Sequence, residues 1–152
     1  MANDFDFLIG TWDVHNRTLR ARLGGSTEWD EFPGRAVVRP LFGGAANIDE
    51  IEFSTKGTWG CTVRLHDRDT GLWSLFWVSS ERTVLDPPVI GRFADGRGVF
   101  YGDDVYEGRP IRVRYVWSDI TATSARWEQA FSVDGEQTWE TNWTMELTRV
   151  DA

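Results

Sequence analysis

Alternation with a period of two governs almost the whole chain. It is cleanest from Ala125 to Arg149, where Trp127, Gln129 and Phe131 share one face and Arg126 and Glu128 the other. Beyond Asp134-Gly135, Trp139, Thr141, Trp143, Met145 and Leu147 fall on one face, opposite Glu140, Asn142, Thr144, Glu146 and Thr148. One apolar lane beside one polar lane predicts strands packed on one side and wet on the other. Asp-Gly between two such arms is a hairpin signal. The same period runs from Phe5 to Arg22, where Gly10-Thr11-Trp12 heads a long first strand. The short apolar run before it (Phe5, Phe7, Leu8, Ile9) is suited to plug a barrel end.

The middle of the chain repeats this design between turn signals. Gly24-Gly25 precedes a strand at Ser26–Phe32, Pro33-Gly34 turns into Arg35–Phe42, and Gly43-Gly44 leads to Asn47–Phe53. Thr58–Asp67 and Leu72–Ser79 form a hairpin around Asp69-Thr70-Gly71. Pro87-Pro88, Asp95-Gly96 and Glu107-Gly108 then punctuate Val89–Ala94, Gly98–Tyr106 and Pro110–Ser118, and Asp119–Ser124 links to the last hairpin. Leu72–Val78 is apolar on both faces, which predicts a cover over Phe76 and Val78, either a loop or the second subunit of a homodimer. No stretch shows a period of 3.6. Ten or eleven strands, each followed by a turn within about 8–12 residues, predict an all-β fold over residues 1–152: a single up-and-down antiparallel β-barrel of about ten strands. Ten strands enclose more space than eight, so a cavity is expected inside.

Apolar parity then nominates the interior: Ile51 and Phe53; Cys61, Val63 and Leu65; Trp73, Leu75 and Trp77; Val89 and Phe93; Ile111, Val113 and Trp117; and the lanes of the last hairpin. For residues 26–42 parity leaves the inner face open. On this reading Trp77, Trp117, Trp127 and Trp143 converge on one cavity. The polar members of the inward lanes are few: Asn16, Asn47, Asp49, Tyr101, Tyr115, Gln129 and Thr141. A few hydrogen-bonding groups in an aromatic wall is the composition of a small-molecule site. Asp49 is the strongest of them, since an inward carboxylate in apolar surroundings is a candidate acid or base. Glu50, Arg64, His66, Arg112, Arg114, Glu128 and Glu140 fall on the opposite lane and read as cross-strand charge pairs in solvent.

Composition narrows the partners. Nine Trp, nine Phe and three Tyr suit a bulky core or the wall of a pocket for an apolar, planar molecule. A net charge of −8 and a pI near 4.7 argue against nucleic acid or an anionic membrane as partner. With no long apolar segment and no secretory pattern, a soluble cytoplasmic protein is expected. Cys61 is alone, so no intrachain disulfide forms. His15 and His66 both take the outward parity, and no spacing of His, Cys or acidic residues suits a metal. A spaced nucleophile and base and a phosphate-binding loop are also missing, and no cofactor is expected.

Gly-x-Trp opening the first strand, with Arg149 closing the last, resembles the lipocalin and calycin pattern. That resemblance implies that the arginine lies across Trp12 where the first and last strands meet. The runs WDEFPGR…LFGGAANIDE, VRLHDRDTGLWSLFWVS, PPVIGRFADGRGVFYGDDVYEGRPIRVRYVWS and RWEQAFSVDGEQTWETNW are similar to bacterial DUF1579-type proteins. These are lipocalin-like barrels whose biochemical role is largely unassigned, so the resemblance implies a fold and supplies no catalytic residues. The expected function is binding of a small apolar or aromatic molecule. Asn16, Asn47, Trp77, Trp117, Trp127, Gln129, Thr141 and Trp143 would form the wall. The first alternative is a cofactor-free cyclase, isomerase or hydratase using Asp49, Tyr101 and Tyr115 for proton transfer. Further alternatives are a barrel with haem on one of the two histidines, as in nitrobindin-like proteins, and a filled barrel that presents Phe76 and Val78 to a partner.

Overall fold

Each run of alternation becomes a strand that pairs with the next strand in the chain. The computed structural model describes residues 3–150. Its strands are β1 (Gly10–Leu19), β2 (Trp29–Leu41), β3 (Ala46–Phe53), β4 (Thr58–His66), β5 (Trp73–Ser79), β6 (Val89–Ala94), β7 (Arg97–Tyr106), β8 (Arg109–Ser118), β9 (Ser124–Ser132) and β10 (Glu140–Arg149). All pairings are antiparallel, and β1 also pairs with β10, so the meander closes into a ten-stranded barrel without a free edge. The expected fold is the observed one.

Residues 26–42 differ from expectation. Pro33-Gly34 is not a turn: β2 runs straight through it, with His15 opposite Pro33 and Val14 opposite Gly34. Pairing with β3 begins only at Arg35–Glu52, so Pro33 lies beyond the end of β3 and its missing N–H deprives no neighbour there. The inner face that parity left open carries Ala36 and Val38, both buried.

One barrel end is closed by the chain preceding β1. Asp6–Leu8 form a single 3-10 turn, and Phe5 and Leu8 are buried. The Phe5 ring meets Trp73 and Phe93 edge-on at 4.9 Å each and stacks on Phe100 at 5.9 Å. Trp12, wholly buried, donates its indole N–H to the Leu8 carbonyl at 2.8 Å, which ties this plug to β1. Across the closing seam Trp12 pairs with Arg149, whose guanidinium sits 4.3 Å from the Trp12 ring centre. Arg149 also donates to the carbonyls of Ile9 (2.7 Å), Ala122 (3.0 Å) and Phe7. Gly10 makes room for this: its φ is +129°, and a Cβ there would lie 2.6 Å from Arg149 Nη1. The glycine, tryptophan and arginine of the sequence pattern are therefore one mechanical joint.

In β4 and in β10 the inward phase differs from the expected one, each time for a local reason. In β4 the inner lane holds Gly60, Thr62, Arg64 and His66, not Cys61, Val63 and Leu65. Gly60 is required because the Trp77 ring lies over it, 1.9 Å from where a Cβ would stand. The apolar lane of β4 faces out, where Cys61 lies opposite Val78 and Val63 opposite Phe76. These cross-strand pairs leave Phe76 and Val78 half-buried. In β10 a bulge at Asn142 adds one residue between the Thr141–Ala130 and Trp143–Gln129 pairs. Alternation therefore changes sign there. Thr141 faces out with Ala130, Glu140 takes the phase of Phe131, and Trp139 stacks outside against Arg114 and Tyr101.

Candidate ligand site in the barrel

The β3–β4 hairpin builds the polar core of the interior. Its register sets Asp49 opposite Thr62 and Asn47 opposite Arg64, so the inward carboxylate brings an arginine in with it. Arg64 Nη2 donates to Asp49 Oδ2 at 2.6 Å and Nη1 to Asn47 Oδ1 at 2.9 Å, while Asp49 Oδ1 accepts the Thr62 amide at 3.1 Å. Both charges are withdrawn from water, with side chains 5% and 9% exposed. Asp49 is thus not the lone carboxylate expected from the sequence. The Arg64 guanidinium also lies 5.4 Å from the Phe5 ring centre and 5.9 Å from that of Trp117, joining the ion pair to the plug.

Above this pair the four expected indoles converge. Trp77, Trp117, Trp127 and Trp143 come from β5, β8, β9 and β10 and line one cavity together with Asp49, Arg64 and Tyr115. Trp143 is the hub, edge-on to Trp77 at 5.7 Å and to Trp127 at 5.2 Å. Its indole N–H is held by Asn16 Oδ1 at 3.1 Å, and Asn16 Nδ2 donates to the Phe32 carbonyl at 3.2 Å. Asn16 therefore positions a wall residue and is not part of the wall itself.

The interior has two compartments. The deep one, with Leu8 of the plug at its base, has a volume of about 50 Å³. A single water needs about 10–15 Å³ on this scale, so the deep space suits one small group. The vestibule at the unplugged end is larger, about 240 Å³. Trp77, Tyr115 and Trp143 border both and form an aromatic collar between them. The Tyr115 hydroxyl has no hydrogen-bond partner among the described residues. Burial, reinforced by Asp86 and Asp104, pushes it above the usual tyrosine range, so it remains a neutral donor.

The vestibule rim is charged. Arg82 faces Asp86 at 3.6 Å and Arg112 faces Asp103 at 3.3 Å, while an Asp104 carboxylate oxygen accepts the Val105 amide at 2.7 Å. Burial, then the nearby Asp104 charge, raises the Asp86 carboxyl above its ordinary value. Arg22 reaches this space from the chain after β1, its guanidinium 5.5 Å from the Phe131 ring centre.

Of the residues nominated from sequence, Asp49, Tyr115 and the four tryptophans line the cavity, and Gln129 lines the vestibule and donates to Asn142 Oδ1 at 2.9 Å. Asn47 stands behind Arg64. Tyr101 is not inside: it lies on the outer face between Trp139 and the Arg112 guanidinium, because Phe100 takes the inward phase of β7. Thr141 is outside for the reason of the bulge. Arg64 and Glu140, expected in solvent, have the inward phase. His66 also moves inward with β4, its ring 5.1 Å from that of Trp73 and both ring nitrogens buried without a partner among the described residues. His15 is outside, paired with Glu31 at 2.7 Å. Neither histidine borders either compartment. Arg64, Arg22 and Asp86 also line the interior, although apolar parity nominates none of them. Only Arg64 had a usable signal, the register of the hairpin that carries Asp49.

No cluster of His, Cys, Asp or Glu among the described residues has the arrangement of a metal site, and no helix is long and apolar enough to cross a membrane. No family model matches the chain, and no curated protein sequence matches it. Among solved structures the chain is similar to an S-type phycobiliprotein lyase, CPES, from Guillardia theta. The TM-score is 0.60 at 10% identity, over 97% of this chain and 91% of that one. At that identity the likeness shows the fold, a lipocalin-like barrel.

Proposed function

We propose that this protein binds a small apolar or aromatic molecule inside the barrel. The observation that carries the reading is the aromatic collar of Trp77, Tyr115 and Trp143, set between a roomy vestibule and a deep space walled by two further indoles. A barrel filled for stability alone would have little use for a 240 Å³ opening above an aromatic collar. The likeness to a phycobiliprotein lyase supplies the frame of this reading, and the interior supplies its chemistry. The acid–base alternative is weaker than the sequence suggested, since Tyr101 lies outside and Asp49 is committed to Arg64. Kinship with DUF1579-type barrels and a homodimer through the outer stripe of Phe76 and Val78 stand with this reading as proposals.

Tryptophan emission provides the test. Titration with planar aromatic compounds is expected to give a saturable change with one ligand per chain, abolished in Trp143→Ala. Native mass spectrometry of freshly purified protein identifies any ligand carried along. A panel of apolar compounds that leaves the emission unchanged would sink the proposal.

A further inference from the structure

The vestibule carries an asymmetry that an apolar ligand alone does not use. Among its lining charges, Arg82 has Asp86, Asp103 has Arg112, and Asp104 accepts a backbone amide. Arg22 has neither an ion pair nor a hydrogen bond among the described residues; its one direct partner is the face of Phe131. Glu140 is near enough to be felt electrostatically, but its carboxylate accepts the Leu23 amide at 2.7 Å rather than the guanidinium. A guanidinium presents five N–H donors in a planar fork matched to a carboxylate. Here that fork is half-buried, its pKa drawn down by burial, and none of its donors is used. Of the carboxylates that would repel an anion, Asp86 and Asp104 belong to the segment before β6 and to β7, and Glu140, beside Arg22, is engaged by the Leu23 amide. Arg22 sits against β9 and the start of β10.

We propose that the ligand is an amphiphile of the aromatic carboxylic acid class, its carboxylate gripped by Arg22 in the vestibule and its rings against Trp77, Tyr115 and Trp143. This rests on the reading that the interior binds an apolar molecule and adds the polar end of that molecule. In the deep compartment the Arg64 cation is already paired with Asp49, which leaves no net charge there for an anion. A charged end therefore remains in the vestibule, where the unused cation is. Charge-assisted contacts of this bidentate kind are the strong ones, and a partly dry site strengthens them.

The experiment uses isothermal titration of the full chain with three probes of one shape: naphthalene-2-carboxylate, naphthalene and 2-(aminomethyl)naphthalene. The carboxylate is expected to bind at least about tenfold more tightly than naphthalene. In Arg22→Gln that preference is expected to vanish with naphthalene binding unchanged, while Arg22→Lys retains part of it. Unchanged melting temperatures for both variants are expected, since Arg22 lies outside the strands. Equal affinities for carboxylate and naphthalene, or tightest binding of the amine, overturn the role of Arg22 and leave the apolar site standing. Failure of all three probes to bind overturns both proposals.

Discussion

At the plugged end of the barrel Phe5 meets rings from four strands, and Arg149 clamps β10 to the carbonyls of Phe7 and Ile9. The only pairs shared by β5 and β6, Trp73–Gly91, Ser74–Ile90 and Leu75–Val89, lie towards this plugged end. Past Leu75, towards the other end, the two strands part. The segment from Ser80 to Pro88 occupies the gap, held by a bridge between Val78 and Leu85 and by the Asp86 amide on the Trp77 carbonyl at 2.9 Å. The first end sets Trp12 and Arg149 against carbonyls and Arg64 against Asp49, in the manner of structure. The second leaves a guanidinium and a hydroxyl unused, in the manner of a site. Rigid closure below and a loosely sewn rim above are what a pocket needs to hold its shape and still be entered.

The largest effect that separates the two ends is expected from Arg64→Met. It strands Asp49 as a buried, unpaired carboxylate and should cost about 3–5 kcal/mol in denaturant unfolding. Adding Asp49→Leu should recover most of that loss. A double variant as unstable as the single one would break the view of a self-contained pair. Arg149→Ala comes next. It removes a cation–π contact and three hydrogen bonds to carbonyls, an expected loss of about 2–4 kcal/mol, whereas exposed Arg97→Ala should change little. Equal melting temperatures for those two variants would count against the clamp.

The smallest effect belongs to the rim. The Asp86 carboxyl is raised in the folded chain from 3.8, so its protonation favours folding. The stability it contributes is complete below its unfolded pKa and is lost as pH rises through the folded one. Asp86→Asn should therefore melt slightly higher than the parent at neutral pH, with the gap closing in acid. The Arg82 contact that it loses is too exposed to reverse this. A melting difference independent of pH would remove Asp86 from the account.

Strand number, closure and the four indoles were legible because a buried lane of large apolar residues leaves an unambiguous period. Parity failed where polarity and burial part company. The apolar lane of β4 faces out because its cross-strand partners Val78 and Phe76 cover it, while the inner lane accepts Thr62 and a paired arginine. A single inserted residue, Asn142, reverses the sense of Thr141 and Trp139, and nothing in their side chains announces it. Arg22 was invisible for another reason. The alternating run reaches Arg22 in the sequence, but β1 ends at Leu19, so the period assigns Arg22 no face.

The clamp at Arg149 also has a consequence in time. The barrel's other pairings join strands that are neighbours along the chain, and each can zip from its own turn. The Arg149 contacts span 140 and 142 residues, so they form only after nearly the whole meander is ordered. The seam is then absent from the folding transition state, and its strength is felt in the rate of opening. In stopped-flow kinetics the cost of Arg149→Ala should appear as faster unfolding, with the refolding rate nearly unmoved. Such a barrel assembles at a pace set by its hairpins and persists longer because an arginine reinforces the ladder that joins its first and last strands.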